Sequence, residues 1–211
     1  LDVSRILAKH VKDLEPTAIP DNVKEGLLAS PVTDVHVFGR RGPAQVKFTP
    51  LELRELGQVP DVDVIVYPED YEFDEASIDA AENNKQTKQV VKTLTDWTLR
   101  EPTGASRRIH LHFMQSPHEV LGEDGKVTGV RVERTELQGD GTVKGTGEFI
   151  DYPVQAVYRA VGYYGTPIDG IPFNDRTGTI NNEAGRVLDE AGNPRLLKKN
   201  YFNNGKVRFI Y

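Results

Sequence analysis

The chain has 211 residues, 37% of them apolar, and a net charge of −6 from 26 basic and 32 acidic side chains. That composition supports a packed core, excludes wholesale disorder and argues against nonspecific nucleic-acid binding. The absence of cysteine excludes disulfides, thiolate metal sites and cysteine-held iron–sulfur clusters within these residues, and no apolar run approaches the roughly 20 residues of a membrane span.

Leu1, Val3, Ile6, Leu7, Val11 and Leu14 form an apolar stripe at helical spacing. No N-cap precedes it and no signal peptide is present, so removal of an upstream segment and a cytoplasmic location are expected. Pro16 to Pro20 break the pattern. Residues 21–29 read as a short helix capped by Asp21, with Glu25 reaching back. Val35-His36-Val37-Phe38 reads as a buried strand ending at Gly39, followed by an Arg40-Arg41-Gly42-Pro43 turn. Thr49 caps a helix that has Pro50 first and Glu52 third and runs to about Leu56. Val62 to Tyr67 is a second apolar strand. Residues 75–100 read as one long helix, acidic early and basic late.

A β-meander follows. Ile109, Leu111 and Phe113 alternate with His110, His112 and Met114, and turns at Glu123–Lys126 and Gly139–Gly141 set off antiparallel strands over 127–137 and 142–152. His110 and His112 share a strand face, expected to be solvent-facing, with no third metal ligand near them. His36 is expected to be packed and hydrogen-bonded. Val154 to Val161 reads as a last buried strand ending at Gly162, and 164–194 as mostly loop. Residues 195–211 hold five of the basic residues and no acidic one. They read as a nucleic-acid- or partner-binding arm, a final strand, or a foreign or altered end.

This order predicts an α/β fold: a Rossmann-like parallel sheet with helices on both faces and an antiparallel meander beside it. Such sheets bind ligands at the carboxyl ends of their strands, where Gly39-Arg40-Arg41 falls. An acidic residue at that strand end selects NAD, whereas forked guanidiniums suit the 2′-phosphate of NADP. The alternative is a solvated basic turn. Glu52 and Glu55 lie three apart on one helix face. They can hold a nicotinamide carboxamide or relay a proton, or simply be a wet face.

The string G-R-R-G-P-x-x-x-x-F-T-x-x-E-L-R-E-L, Gly39 to Leu56, resembles the NADP-binding segment of ferredoxin–NADP reductases of the adrenodoxin-reductase type. These are two-domain flavoproteins of glutathione-reductase-like architecture. The resemblance extends to LDVSRIL at 1–7, FMQSPHEV at 113–120, RAVGYYGTPIDGIPF at 159–173 and GTINNEAGRV at 178–187, and covers most of residues 1–190. It implies that Arg40 and Arg41, beside Gly39, hold the 2′-phosphate of NADPH, and that Glu52 binds the nicotinamide carboxamide. It also implies that Glu55 lies near the flavin, paired with a histidine of an FAD domain, and that Gly162 and Thr166 lie where the chain crosses into that domain. The implied reaction passes hydride from NADPH to FAD, then single electrons to an iron–sulfur ferredoxin.

The family also has a G-x-G-x-x-A turn immediately before the LDVxRIL helix and a G-W-x-x-x-G-P-x-G motif soon after the GRV segment. Neither occurs here. The expected organisation is therefore an NADP-binding domain over 1–165 lacking its first strand and glycine-rich turn, a remnant of the FAD domain over 166–194, and a nonmatching basic tail over 195–211. Such a chain is expected to bind no FAD, not to turn over alone, and to bind NADPH weakly or not at all. It is also expected to offer an incomplete sheet through which two copies could pair. Two other readings stand beside this one. One is the NADPH domain of another flavoprotein, such as a glutamate-synthase small-subunit-like protein, in which Y-R-R ends the same strand. The other is a noncatalytic interaction module.

Overall fold

Three short strands, β1 (Asp34–Phe38), β2 (Val62–Val66) and β3 (Arg107–His112), form a parallel sheet in the order β1-β3-β2. The computed structural model that shows this describes residues 1–162 and 164–194. Tyr163 and the basic segment 195–211 lie outside the described residues. The chain divides into two units, Leu1–Tyr158 and a second beginning at Arg159.

In the parallel register Val37 sits opposite Leu111 and Ile109 opposite Val64, so Val35, Val37, Ile109, Leu111, Val62, Val64 and Val66 share one face. Helices α1 (Asp2–Ala8) and α5 (Lys85–Thr98) pack against these strands, and α3 (Pro50–Leu56) packs against α5. The core is closed by Ala8, Leu53, Leu56, Val90, Leu94 and Trp97. Each large apolar side chain fully buried there contributes about 1.5–3 kcal/mol.

Several helix ends depart from expectation for local reasons. α1 stops at Ala8 because Lys9 is already extended, and the Arg107 guanidinium collects the Lys9 carbonyl at 2.7 Å, a cationic cap at the negative helix end. Val3 and Ile6 of the apolar stripe remain exposed. α2 (Asp21–Leu28) has Pro20 as its N-cap, and Asp21 lies inside the helix without capping it. The expected long helix is two, α4 (Glu75–Asn83) and α5, because Asn84 ends the first and its side chain accepts from Gln86 and Thr87 to start the second. α3 begins with the full capping box, Thr49 and Glu52 bonded to each other's backbone N–H.

β3 differs from expectation more deeply. Its period-two pattern groups it with the meander, yet it is the centre of the parallel sheet. The meander begins one turn later, as β4 (Gln115–Glu123), β5 (Lys126–Leu137) and β6 (Val143–Tyr152), antiparallel in the order β4-β5-β6. Both turn signals hold, at 124–125 and 138–142.

Residues 153–161 form no strand, which corrects the expected buried one. Val157, Tyr158 and Val161 are 44%, 62% and 80% exposed. An apolar run becomes a strand only where a neighbour completes its ladder, and none of the described strands pairs with it. The second unit carries two small hairpins, β7 (Phe173–Asn174) with β8 (Thr179–Ile180), and β9 (Asn182–Glu183) with β10 (Arg186–Val187).

Candidate functional site

β1, β2 and β3 run parallel, so their carboxyl ends lie together, and the Gly39-Arg40-Arg41 turn leaves from that end of β1. The turn is held by its backbone. Gly39 donates to the His112 carbonyl at 2.8 Å and accepts from the Gln115 N–H at 3.2 Å. The Arg41 carbonyl accepts from the Met114 N–H at 3.3 Å, and the Arg40 carbonyl from the Thr135 hydroxyl at 2.8 Å. All three carbonyls are thus bonded to residues 114, 115 and 135. Arg40 is exposed and Arg41 half-buried. Neither guanidinium has a hydrogen-bond or ion-pair partner among the described residues. Two uncommitted cations on a fixed turn at a sheet's carboxyl end are suited to a phosphate.

The carboxylates on α3 are committed. Glu52 Oε2 accepts from the Thr49 backbone N–H at 2.6 Å. That bond, ahead of the opposing effect of partial burial, holds its carboxyl below the usual range. Glu55 forms an ion pair with Arg5 of α1, and Arg5 also reaches Asp2 at 2.7 Å. The structure therefore places Glu52 in the capping box of α3 and Glu55 in an ion pair with Arg5, and Arg40 and Arg41 on the turn after β1. Gly162 and Thr166 lie in the second unit. Gly162 has φ 113°, a conformation that favours glycine.

The opposite face of the parallel sheet is polar. Asp34, His36 and Phe38 of β1, Arg108, His110 and His112 of β3, and Tyr67 just beyond β2 share it. Their rings form a ladder: His36 lies 4.4 Å from His110 and 5.2 Å from His112, centre to centre, and Tyr152 of β6 closes over Phe38 at 5.1 Å. His110 and His112 are 8% and 3% exposed, which corrects the expected solvent-facing surface. His36 is hydrogen-bonded, to His112 at 2.9 Å.

The network assigns the protons. The Tyr67 hydroxyl donates to His110 Nδ1 at 2.7 Å, and His110 Nε2 donates to Asp34 at 2.9 Å. Asp34 lies well below the usual carboxylate range, chiefly because of the Arg108 guanidinium, which grips it at 2.7 and 3.0 Å. Burial lowers His110, and burial followed by the two neighbouring imidazoles lowers His36 to about 4. A histidine whose folded value lies below its unfolded 6.5 contributes stability that is present above 6.5 and lost as pH falls toward 4. After discounting for partial solvation, His36 is expected to remove about 1–2 kcal/mol over that window. Urea midpoints read from pH 7 to pH 4.5 check this: they should fall steadily in the wild type and less steeply in His36→Leu.

Sequence reasoning found the arginines and the capping box. It missed Arg5 as the partner of Glu55, and it missed Met114, Gln115 and Thr135 as the frame of the turn. Arg5 stood inside the LDVSRIL string, and Met114 and Gln115 inside FMQSPHEV, but no local signal shows that Met114, Gln115 and Thr135 frame the turn, because each reaches it from 73 or more positions away.

No protein-family profile matches the chain. Individual proteins do. The chain is 42% identical over 216 residues to the NADPH-ferredoxin reductase FprA of Mycobacterium tuberculosis, covering 100% of this chain and 46% of that protein. It is 36% identical over 210 residues to the mitochondrial NADPH:adrenodoxin oxidoreductase of Homo sapiens, covering 91% of this chain and 42% of the human protein. The solved structure of M. tuberculosis FprA in complex with NADPH matches 88% of this chain and 41% of its own, with a TM-score of 0.76 at 41% identity. These reductases are homologues of the chain, which spans a little under half the length of each. The α/β architecture, parallel sheet and antiparallel strands together, is that of the matched region of FprA and is Rossmann-like.

Proposed function

We propose, with homology to the NADPH-ferredoxin and NADPH:adrenodoxin reductases as the premise, that the chain forms the NADP-binding portion of a flavin-dependent ferredoxin reductase. The observation that carries this reading is the pair of guanidiniums, Arg40 and Arg41, without a partner among the described residues, on a turn whose carbonyls at residues 39–41 are all satisfied. The 2′-phosphate of NADPH would lie between them, with the Gly39 backbone setting the turn. Bound in the whole reductase, the flavin would supply the means to take a hydride from NADPH and to release the electrons singly to an iron–sulfur ferredoxin.

The chain's own residues bind and orient. Glu52 keeps one oxygen on the Thr49 N–H and has its other, Oε1, for the carboxamide of the nicotinamide. Glu55 stands one helical turn further on, where its ion pair with Arg5 would orient it toward the reacting rings. Residues 1–165 act as the NADP domain and 166–194 as the start of a returning FAD domain, with Gly162 and Thr166 at the crossing. The proposed compartment is the cytoplasm, although the adrenodoxin relatives are mitochondrial, and cell fractionation separates the two. The sheet edges β1 and β2 suit a dimer, which molar-mass measurement by light scattering would detect.

Titration of the chain with 2′,5′-ADP and with 5′-AMP tests the reading. The expected result is preference for the 2′-phosphorylated ligand. Equal affinity for the two, in a chain whose buried Trp97 reports a folded core, defeats it.

A further inference from the structure

We infer that Thr135, on β5 of the meander, is a positioning residue that fixes the Arg40-Arg41 turn from behind and so sets the preference for a 2′-phosphorylated nucleotide. The inference rests on the function proposed above and deepens it.

Thr135 holds the turn by two routes. Its hydroxyl donates to the Arg40 carbonyl at 2.8 Å. Its backbone N–H donates to the Met114 carbonyl at 2.9 Å, and the Met114 N–H in turn donates to the Arg41 carbonyl at 3.3 Å. One residue therefore restrains both arginines, one directly and one through Met114.

Three features set this contact apart from an incidental one. Thr135 is only 7% exposed, so its hydroxyl has no water to exchange with freely. It sits where the β5–β6 register shifts, between Glu133 and Thr135, and such irregularities re-aim a side chain out of the regular alternation. Met114, between the two restraints, has φ 54° while only 2% exposed, a left-handed conformation that is strained for a residue with a Cβ, and it persists because both its N–H and its carbonyl are bonded.

The chemistry explains why position matters. A guanidinium fork binds a phosphate through two parallel hydrogen bonds, and small changes in approach angle lose one of them. Among the described residues, Thr135 is the one side chain that bonds a carbonyl of residues 39–41; the other restraints are backbone N–H groups. It is therefore the one restraint that substitution can remove while the backbone stays intact.

The experiment compares the wild-type chain with Thr135→Val, Thr135→Ser and Thr135→Ala, each titrated with 2′,5′-ADP and 5′-AMP, with Trp97 emission recording the fold. Thr135→Val is expected to weaken 2′,5′-ADP about five- to tenfold and leave 5′-AMP unchanged, and Thr135→Ser to restore the wild-type ratio. If valine unfolds the chain, serine against alanine makes the same comparison of hydroxyl with none. A wild type that discriminates beside hydroxyl-free variants that discriminate equally well overturns this inference alone, as does parallel weakening of both ligands. A wild type that binds both ligands alike overturns the proposed function and this inference with it.

Discussion

Replacing Arg40 and Arg41 together by alanine is expected to abolish discrimination between 2′-phosphorylated and unphosphorylated nucleotides. Each charge-assisted contact to a phosphate is worth about 1.5–3 kcal/mol, so losing both should cost about two to four orders of magnitude in affinity for NADPH. Arg41 is half-buried and Arg40 exposed. Less of the Arg41 contact is screened by water, so Arg41→Ala alone should carry the larger share. Arg41→Lys keeps the charge but loses the fork, and should fall between wild type and alanine. Because neither guanidinium has a partner among the described residues, the double variant should unfold within about 0.5 kcal/mol of the wild type. Isothermal titration with NADPH and NADH, paired with a urea melt, measures both quantities; a large loss of stability would mean that the arginines serve the fold instead.

The largest effect on stability is expected at Asp70, which ends a 3₁₀ turn just after β2 and is 1% exposed. Its carboxylate accepts from the Phe113 N–H at 3.2 Å, from Gln115 Nε2 at 3.0 Å and from Arg134 at 2.5 Å, with His112 Nδ1 3.8 Å away. Burial would raise this carboxyl, but His112, Gln115 and Arg134 outweigh it and hold it below its usual range. Asp70→Ala leaves the Gln115 amide, the Phe113 N–H and the Arg134 charge without their acceptor. The expected cost is about 3–5 kcal/mol. Asp70→Asn keeps the shape and one acceptor and should cost less. The chain has a single tryptophan, Trp97, in the core, so its emission against urea reads the change directly. The sign with pH is fixed by the depressed folded value: this contribution is complete above the ordinary carboxylate range and disappears as acid protonates Asp70. A wild-type chain indifferent to acid below about pH 4 would contradict that account.

The sequence announced those parts of the fold that depend on neighbours in the chain. Thr49, Pro50 and Glu52 specify a helix start within four residues, and the structure has the capping box they imply. The hairpin turns at Asp124-Gly125 and Gly139–Gly141 are equally local. What failed depends on pairing at a distance. His110 and His112 alternate with Ile109 and Leu111 just as a half-wet strand would. Only the register opposite His36 and Phe38, with Tyr152 above, makes their side of the sheet a buried polar ladder. Val154 to Val161 failed in the opposite sense, since its apolar character was real but no described strand lies beside it. At the candidate site the same division holds. Arg40 and Arg41 were legible because their residue types and their place after a strand suffice. Thr135 was not, because nothing in a threonine within an alternating strand reveals that a register shift turns its hydroxyl toward a carbonyl 95 residues earlier.

The strand order β1-β3-β2 has a consequence for synthesis. The middle strand is the last of the three to leave the ribosome, so β1 and β2 emerge first with no partner for the edges that β3 will later occupy. Until residues 107–112 arrive, a nascent chain carries two orphaned apolar ribbons, each able to join a foreign strand. Slowed translation between residues 67 and 106 would lengthen that interval, and chaperone capture should be most frequent there.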